Sequence, residues 1–140
     1  SPSDFGFHNA ILTYHSSFKF VDFEYFGWDD PVKTISDFIL HPAMQLNENQ
    51  TAYFFKKTIE WQESSGNNIL KRFYALYPLF AIKWALILLN EFLPNAIERR
   101  LLAGFTDSEI ITLQKQQLEA ANRILIRIEE DVNSFTHVRS

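Results

Sequence analysis

Three side chains near the start of this chain carry the donor types that phosphate chemistry needs. Asp4 is followed five positions later by Asn9, and Asp22 comes after an intervening apolar stretch. An amide oxygen and a carboxylate are the hard donors that Mg²⁺ prefers, and Mg²⁺ usually takes only one or two protein carboxylates plus phosphate and water. With Asn9 and Asp22 on the metal, Asp4 is left to accept a proton from a hydroxyl. That division of labour is the one phosphoryl transfer requires: a carboxylate at the nucleophile, and an amide and a carboxylate at the metal.

The elements needed to bring these groups together can be read from the intervening sequence. Ser1 to Asn9 reads as a loop. Ala10 to Tyr14 and Phe18 to Phe23 read as two short strands joined by a turn at His15-Ser16-Ser17, a hairpin pattern. Asn9 precedes the first strand, and Asp22 and Glu24 close the second. A loop and two strand ends can therefore direct Asp4, Asn9 and Asp22 to one point.

Charge is distributed to match. The chain has 140 residues, with 13 basic and 17 acidic side chains, a formal charge of −4 and no cysteine. The first 40 residues hold six acids (Asp4, Asp22, Glu24, Asp29, Asp30 and Asp37) against Lys19 and Lys33, so all of the net charge lies there. Such a cluster calls for a counter-charge, of which a divalent cation is one kind, or else forms a solvated face. Without cysteine there is neither a disulfide framework nor a thiol nucleophile. Mild acidity without a basic block argues against a nucleic-acid partner. The apolar run Leu79 to Leu89 is interrupted by Lys83 and is too short to span a bilayer, so no membrane partner is expected. No signal peptide is visible, and a cytoplasmic location is expected.

At this point the sequence resembles the aminoglycoside phosphotransferase and choline kinase families, small-molecule kinases with a protein-kinase-like fold. The residues that carry the resemblance are Asp4-x-x-x-x-Asn9, the apolar strand, and Val21-Asp22-Phe23-Glu24-Tyr25. Asp30-Pro31 followed by Asp37 is similar to the segment after the metal motif in the aminoglycoside family. The resemblance implies Asp4 as catalytic base, Asn9 and Asp22 as Mg²⁺ ligands, and Glu24 near a second metal or its water shell. It also implies ATP as phosphoryl donor and a hydroxylated small molecule as acceptor: an amino sugar, a sugar or an amino alcohol. Asp37 would brace the catalytic loop. Asp4-Phe5-Gly6 also spells the protein-kinase metal triplet, but that alignment strands Asn9 and Asp22 and lacks the activation segment that should follow. Two departures stand out. Pro2 occupies a position commonly held by His, and no Gly-rich loop or strand lysine for a nucleotide lobe is present. The chain is therefore expected to be the C-terminal lobe of a longer protein, inactive alone. The alternative is a catalytically silent kinase-like module that binds a partner.

Other polar residues have structural readings. Asp30 caps a helix with Pro31 at its first position, and Asp30 and Asp37 are expected to support the site. Asp29 is expected to be solvated. His8, beside Asn9, could touch a phosphate or pack the loop, and packing is the commoner case; His15 sits in the turn, and His41 ends a helix before Pro42. Trp28 could wall a cationic substrate or simply pack, and packing is the commoner case. Trp61 and Trp84 read as core, while Lys83 either snorkels or pairs with a buried carboxylate.

The expected fold is mainly α with a small β-hairpin, the C-terminal helical lobe of a protein-kinase-like fold, in one domain over 1–140. Residues 1–41 form the catalytic loop, hairpin and metal segment, and residues 42–140 a helical subdomain. Helices are expected over about 31–40, 48–63, 68–77, from Pro78 to Asn90, from Pro94 to Gly104, and onward from the capping box Thr106-Asp107-Ser108-Glu109. The Leu79 to Leu89 helix, apolar on nearly all sides, is expected at the centre. The stripe Leu118 to Val132 reads as core or a dimer seam, and residues from Phe135 onward as frayed.

Overall fold

The computed structural model describes residues 5–24, 26–66 and 68–137. It is mainly helical with one small antiparallel sheet. After a 3-10 turn over Phe7–Asn9 come β1 (Ala10–Leu12) and β2 (Phe18–Phe20), paired with Ala10 opposite Phe20 and Leu12 opposite Phe18. The turn between them is tied by Thr13, whose carbonyl accepts from Ser16 and whose hydroxyl lies 2.7 Å from that of Ser17. Ser16 takes a positive φ of 56° there.

Helix α1 (Pro31–Leu40) begins as its sequence dictates. The Asp30 carboxylate accepts from the Val32 amide at 3.0 Å, and Pro31 supplies a preset φ. Its inner face, Val32, Ile35 and Phe38, is buried. Helix α2 (Glu48–Ser64) opens on a reciprocal capping box between Asn47 and Gln50 and ends before Gly66, at φ +81°, a conformation that suits glycine. Helix α3 (Leu70–Leu88) follows, then a 3-10 turn Leu89–Phe92, α4 (Pro94–Leu102) and the long α5 (Asp107–His137). The capping box at Thr106 forms as expected: the Thr106 amide donates to the Glu109 carboxylate at 2.8 Å.

Helices α1, α2, α3 and α5 share a core of Val32, Ile35, Phe55, Ile59, Phe73, Tyr77, Ala81 and Phe135. A chain of aromatic contacts joins the hairpin to it: Phe20 lies 4.8 Å from Phe5, Phe5 5.6 Å from Phe38, and Phe38 3.9 Å from Phe54, centroid to centroid. The strands themselves stay largely exposed.

Five expectations are corrected. Pro78 does not open a new helix but sits inside α3. Its missing N–H costs one backbone bond, which the packing of Phe73, Tyr77, Ala81 and Ala85 outweighs. Because the helix runs through, the apolar stretch Leu70–Phe92, 23 residues, is long and apolar enough to cross a membrane by length and composition. The expected all-round burial of Leu79 to Leu89 does not occur. Ala81, Ala85 and Leu88 face the core, whereas Leu79 and Leu86 are each 60% exposed. Trp61, read as core, is exposed, and Phe135, read as frayed, is 1% exposed and packs on Phe55, Phe73 and Tyr77.

Candidate functional site

The open end of the hairpin brings the backbones of two of the expected site residues, Asn9 and Asp22, near each other. Asn9 ends the 3-10 turn, its amide donating to the Gly6 carbonyl at 3.1 Å, and its own carbonyl accepts from the Val21 amide at 2.9 Å. That bond extends the strand pairing by one rung and puts Asp22 one residue from the partner of Asn9. Asp22 adopts φ +63°, in the left-handed region. A non-glycine residue held there costs free energy, and such positions concentrate at functional sites and tight turns. Asp22 and Glu24 are exposed and, among the described residues, make no hydrogen bond or ion pair with a side chain. Asp4 lies outside the described residues, as does the Pro2 substitution.

The loop before Asn9 rests on the segment after α1. Gly6 is buried, and a Cβ there would stand 2.5 Å from the His8 ring and 2.8 Å from Met44 Sδ. The Phe7 amide donates to Met44 Sδ at 3.2 Å. His8 stacks on His41 at 4.2 Å with 6° between planes, and His41 in turn meets the Trp84 ring at 4.7 Å. His41 Nδ1 accepts from the Ala43 amide, which fixes the ring beyond the helix end. His8 and His41 therefore have the packing and helix-end places expected of them, while Met44 and Gly6 were not singled out. Only the closeness of Gly6 to the loop acids could have drawn notice to it, since Met44 lies far along the chain.

The remaining acids of the first 40 residues have protein partners. Asp29 pairs with Lys33 at 2.6 Å and accepts from the Asp30 amide, so it is ion-paired rather than merely solvated. Partial burial raises its carboxyl, but these bonds and the Lys33 charge outweigh that and hold it low. Asp30 caps α1 and pairs with Arg72 of α3. Asp37 Oδ1 accepts from Lys83 Nζ and from Trp84 Nε1 at 2.7 Å, while Lys33 stands 3.4 Å from Oδ2. Lys83 thus takes the second of its two expected roles, pairing with a half-buried carboxylate. The Asp37 partners among the described residues tie α1 to α3 rather than to the loop. Trp84 is half-buried beside this pair. Trp28, expected to pack, is fully exposed instead.

Chemically, the acidity divides in two. Asp29, Asp30 and Asp37 are neutralised by Lys33, Arg72 and Lys83; the last two pairs tie α1 to α3. Asp22 and Glu24 are exposed and, among the described residues, have no cationic partner. Among the described residues no three His, Asp or Glu side chains converge. Asn9 and Asp22 would be the residues to hold a Mg²⁺ ion, which takes few protein carboxylates and keeps phosphate and water in its shell.

No protein-family model, curated protein or solved structure matches this chain.

Proposed function

We propose that this chain is the helical lobe of an ATP-dependent small-molecule phosphotransferase. Asp4 is the base, Asn9 and Asp22 hold Mg²⁺, and Glu24 touches the ion's water shell. The observation that carries the reading is the Asn9 carbonyl bond to the Val21 amide. It supports the reading by bringing the Asn9 and Asp22 backbones to one hairpin end, with Asp22 at positive φ and, among the described residues, without a side-chain partner. The metal would neutralise charge on the transferring phosphoryl group, and Asp4 would take the acceptor's hydroxyl proton. Asp30 and Asp37 support the site indirectly, by fixing α1, whose end carries the His41 platform under the loop. A cytoplasmic setting, which supplies ATP and Mg²⁺, accords with this role. The acceptor is an amino sugar, sugar or amino alcohol, with Trp28 available to face a cationic group.

A nucleotide-binding lobe has to be supplied to this one. The exposed aromatic surface around the hairpin, including Phe7, Phe18, Phe23 and Phe26, suits such a cover. The same surface favours a rival reading, a catalytically silent module that docks a partner. The two are separated by assaying a protein that contains both lobes against a screen of hydroxylated acceptors, with Asp22→Ala and Asp4→Asn alongside. The enzyme reading expects Asp22→Ala to remove turnover. It expects Asp4→Asn to lower turnover about 10²- to 10⁴-fold with ATP affinity nearly unchanged. Full turnover in Asp4→Asn would overturn the base assignment. Absence of both phosphorylation and ATP binding in the unaltered protein would favour the silent module.

A further inference from the structure

A cavity of about 290 Å³ lies between the end of α1, α3 and α5, and the mechanism above makes no use of it. Its apolar wall includes Ile39, Leu88 and Ile124. At its floor the Tyr77 hydroxyl donates to Asp131 Oδ2 at 2.8 Å. Tyr77 is fully buried, and Asp131 is half-buried, with burial pushing its carboxyl above the ordinary aspartate range. At the rim stand Arg123 and Arg127, one helical turn apart on α5.

Among the described residues the two guanidiniums at this mouth are unequally engaged. Arg127 Nη2 stands 3.3 Å from Asp131 Oδ1, so that acid has both a phenol and a guanidinium. Arg127 also borders the adjoining cleft that Glu48 lines. Among the described residues Arg123 pairs only with Glu119, at 4.0 Å with both side chains about two-thirds exposed or more, a contact that water screens strongly. The lining is mixed, with His41, Gln45 and Thr51 adding polar groups to the apolar wall, and the volume is at the small end of the range for small-molecule sites. A guanidinium on its rim selects a planar oxyanion by paired N–H donation.

We propose that this cavity binds a small monocarboxylic acid, its hydrocarbon body among Ile39, Leu88 and Ile124 and its carboxylate on Arg123, with Arg127 assisting. A single negative charge suits the loosely held Arg123 guanidinium, whereas an ammonium ligand would meet it with like charge. The Tyr77–Asp131 pair closes the far end and answers its own polar groups, so the floor does not demand a donor from the ligand. The inference is independent of the phosphotransfer reading.

The test is an NMR titration of the methyl-labelled chain with octanoate, with octylammonium and 1-octanol as charge-reversed and neutral comparators. Octanoate is expected to give saturable shifts at the Ile39, Leu88 and Ile124 methyls and to bind more tightly than either comparator. Arg123→Gln, at an exposed position that leaves the fold intact, is expected to weaken octanoate about tenfold and leave 1-octanol unchanged. Octylammonium binding as tightly as octanoate would overturn the proposal. So would octanoate shifts that are centred on the exposed Leu79 and Leu86, that do not saturate, or that are indifferent to Arg123→Gln.

Discussion

Gly6 shows how closely the site depends on single atoms. Its Cβ position is already occupied by the His8 ring and Met44 Sδ, so Gly6→Ala must push the His8–His41 stack apart or lift the loop off Met44. Overpacking of this kind typically costs about 1–3 kcal/mol. The variant should melt at lower temperature and show altered His8 and His41 imidazole resonances; an unchanged stack would contradict the close approach. Ser36 is a contrasting case. It is fully buried on α1 and its hydroxyl has no hydrogen-bond partner among the described residues. Removing a buried, unsatisfied hydroxyl relieves a desolvation penalty of about 1–3 kcal/mol. Ser36→Ala should therefore raise stability in urea unfolding, and a loss of stability would show that the hydroxyl is satisfied in solution. At this scale the sequence was informative for local roles. Asp30 as cap, the Thr106 capping box and His41 as helix end depend on neighbours within a few residues, and each is found. The partners of Asp37 and the Met44 contact to Phe7 are long-range and leave no mark in local spacing.

At the element scale, α5 and α3 carry the largest differences between expectation and structure. The end of α5 looked frayed because the polar residues after Phe135 suggest solvent. What holds it is distant: Phe55, Phe73 and Tyr77 receive the Phe135 ring. Phe135→Ala should cost about 3–5 kcal/mol, as for other buried aromatic truncations. Leu125→Ala, on a half-exposed side chain, should cost far less. Comparable midpoints for the two in urea unfolding would contradict the packing. The junction of the 3-10 turn and α4 is held by Arg100, whose Nε and Nη2 donate to the two oxygens of Glu91 at 3.1 and 2.8 Å. Those bonds hold the Glu91 carboxyl below the ordinary glutamate range. A carboxyl lowered by folding contributes stability that is present above its unfolded-state pKa and is lost as pH falls through its folded value. Arg100→Met should thus remove part of the stability seen near neutrality and flatten the decline below the usual glutamate range, about pH 4.3. Stability profiles of the two proteins that run parallel through that range would refute the pairing.

For the whole molecule, the alternation of a short hairpin and a helical mass was legible because hydrophobic periodicity and capping are local signals. The exposure of Trp28, Trp61, Leu79 and Leu86 was not, because composition alone cannot say which apolar faces the fold leaves uncovered. The candidate site was legible in its residue types, and the hairpin register accounts for the nearness of Asn9 to Asp22. The central claim is that these two side chains form a divalent-metal site. The most direct test is paramagnetic broadening of backbone amides as Mn²⁺, standing in for Mg²⁺, is titrated into the chain and into Asp22→Ala. The account predicts that Asn9, Val21 and Asp22 broaden first, and that Asp22→Ala abolishes this preference while leaving the rest of the spectrum in place. Broadening centred on other acids, or unchanged by Asp22→Ala, would contradict it.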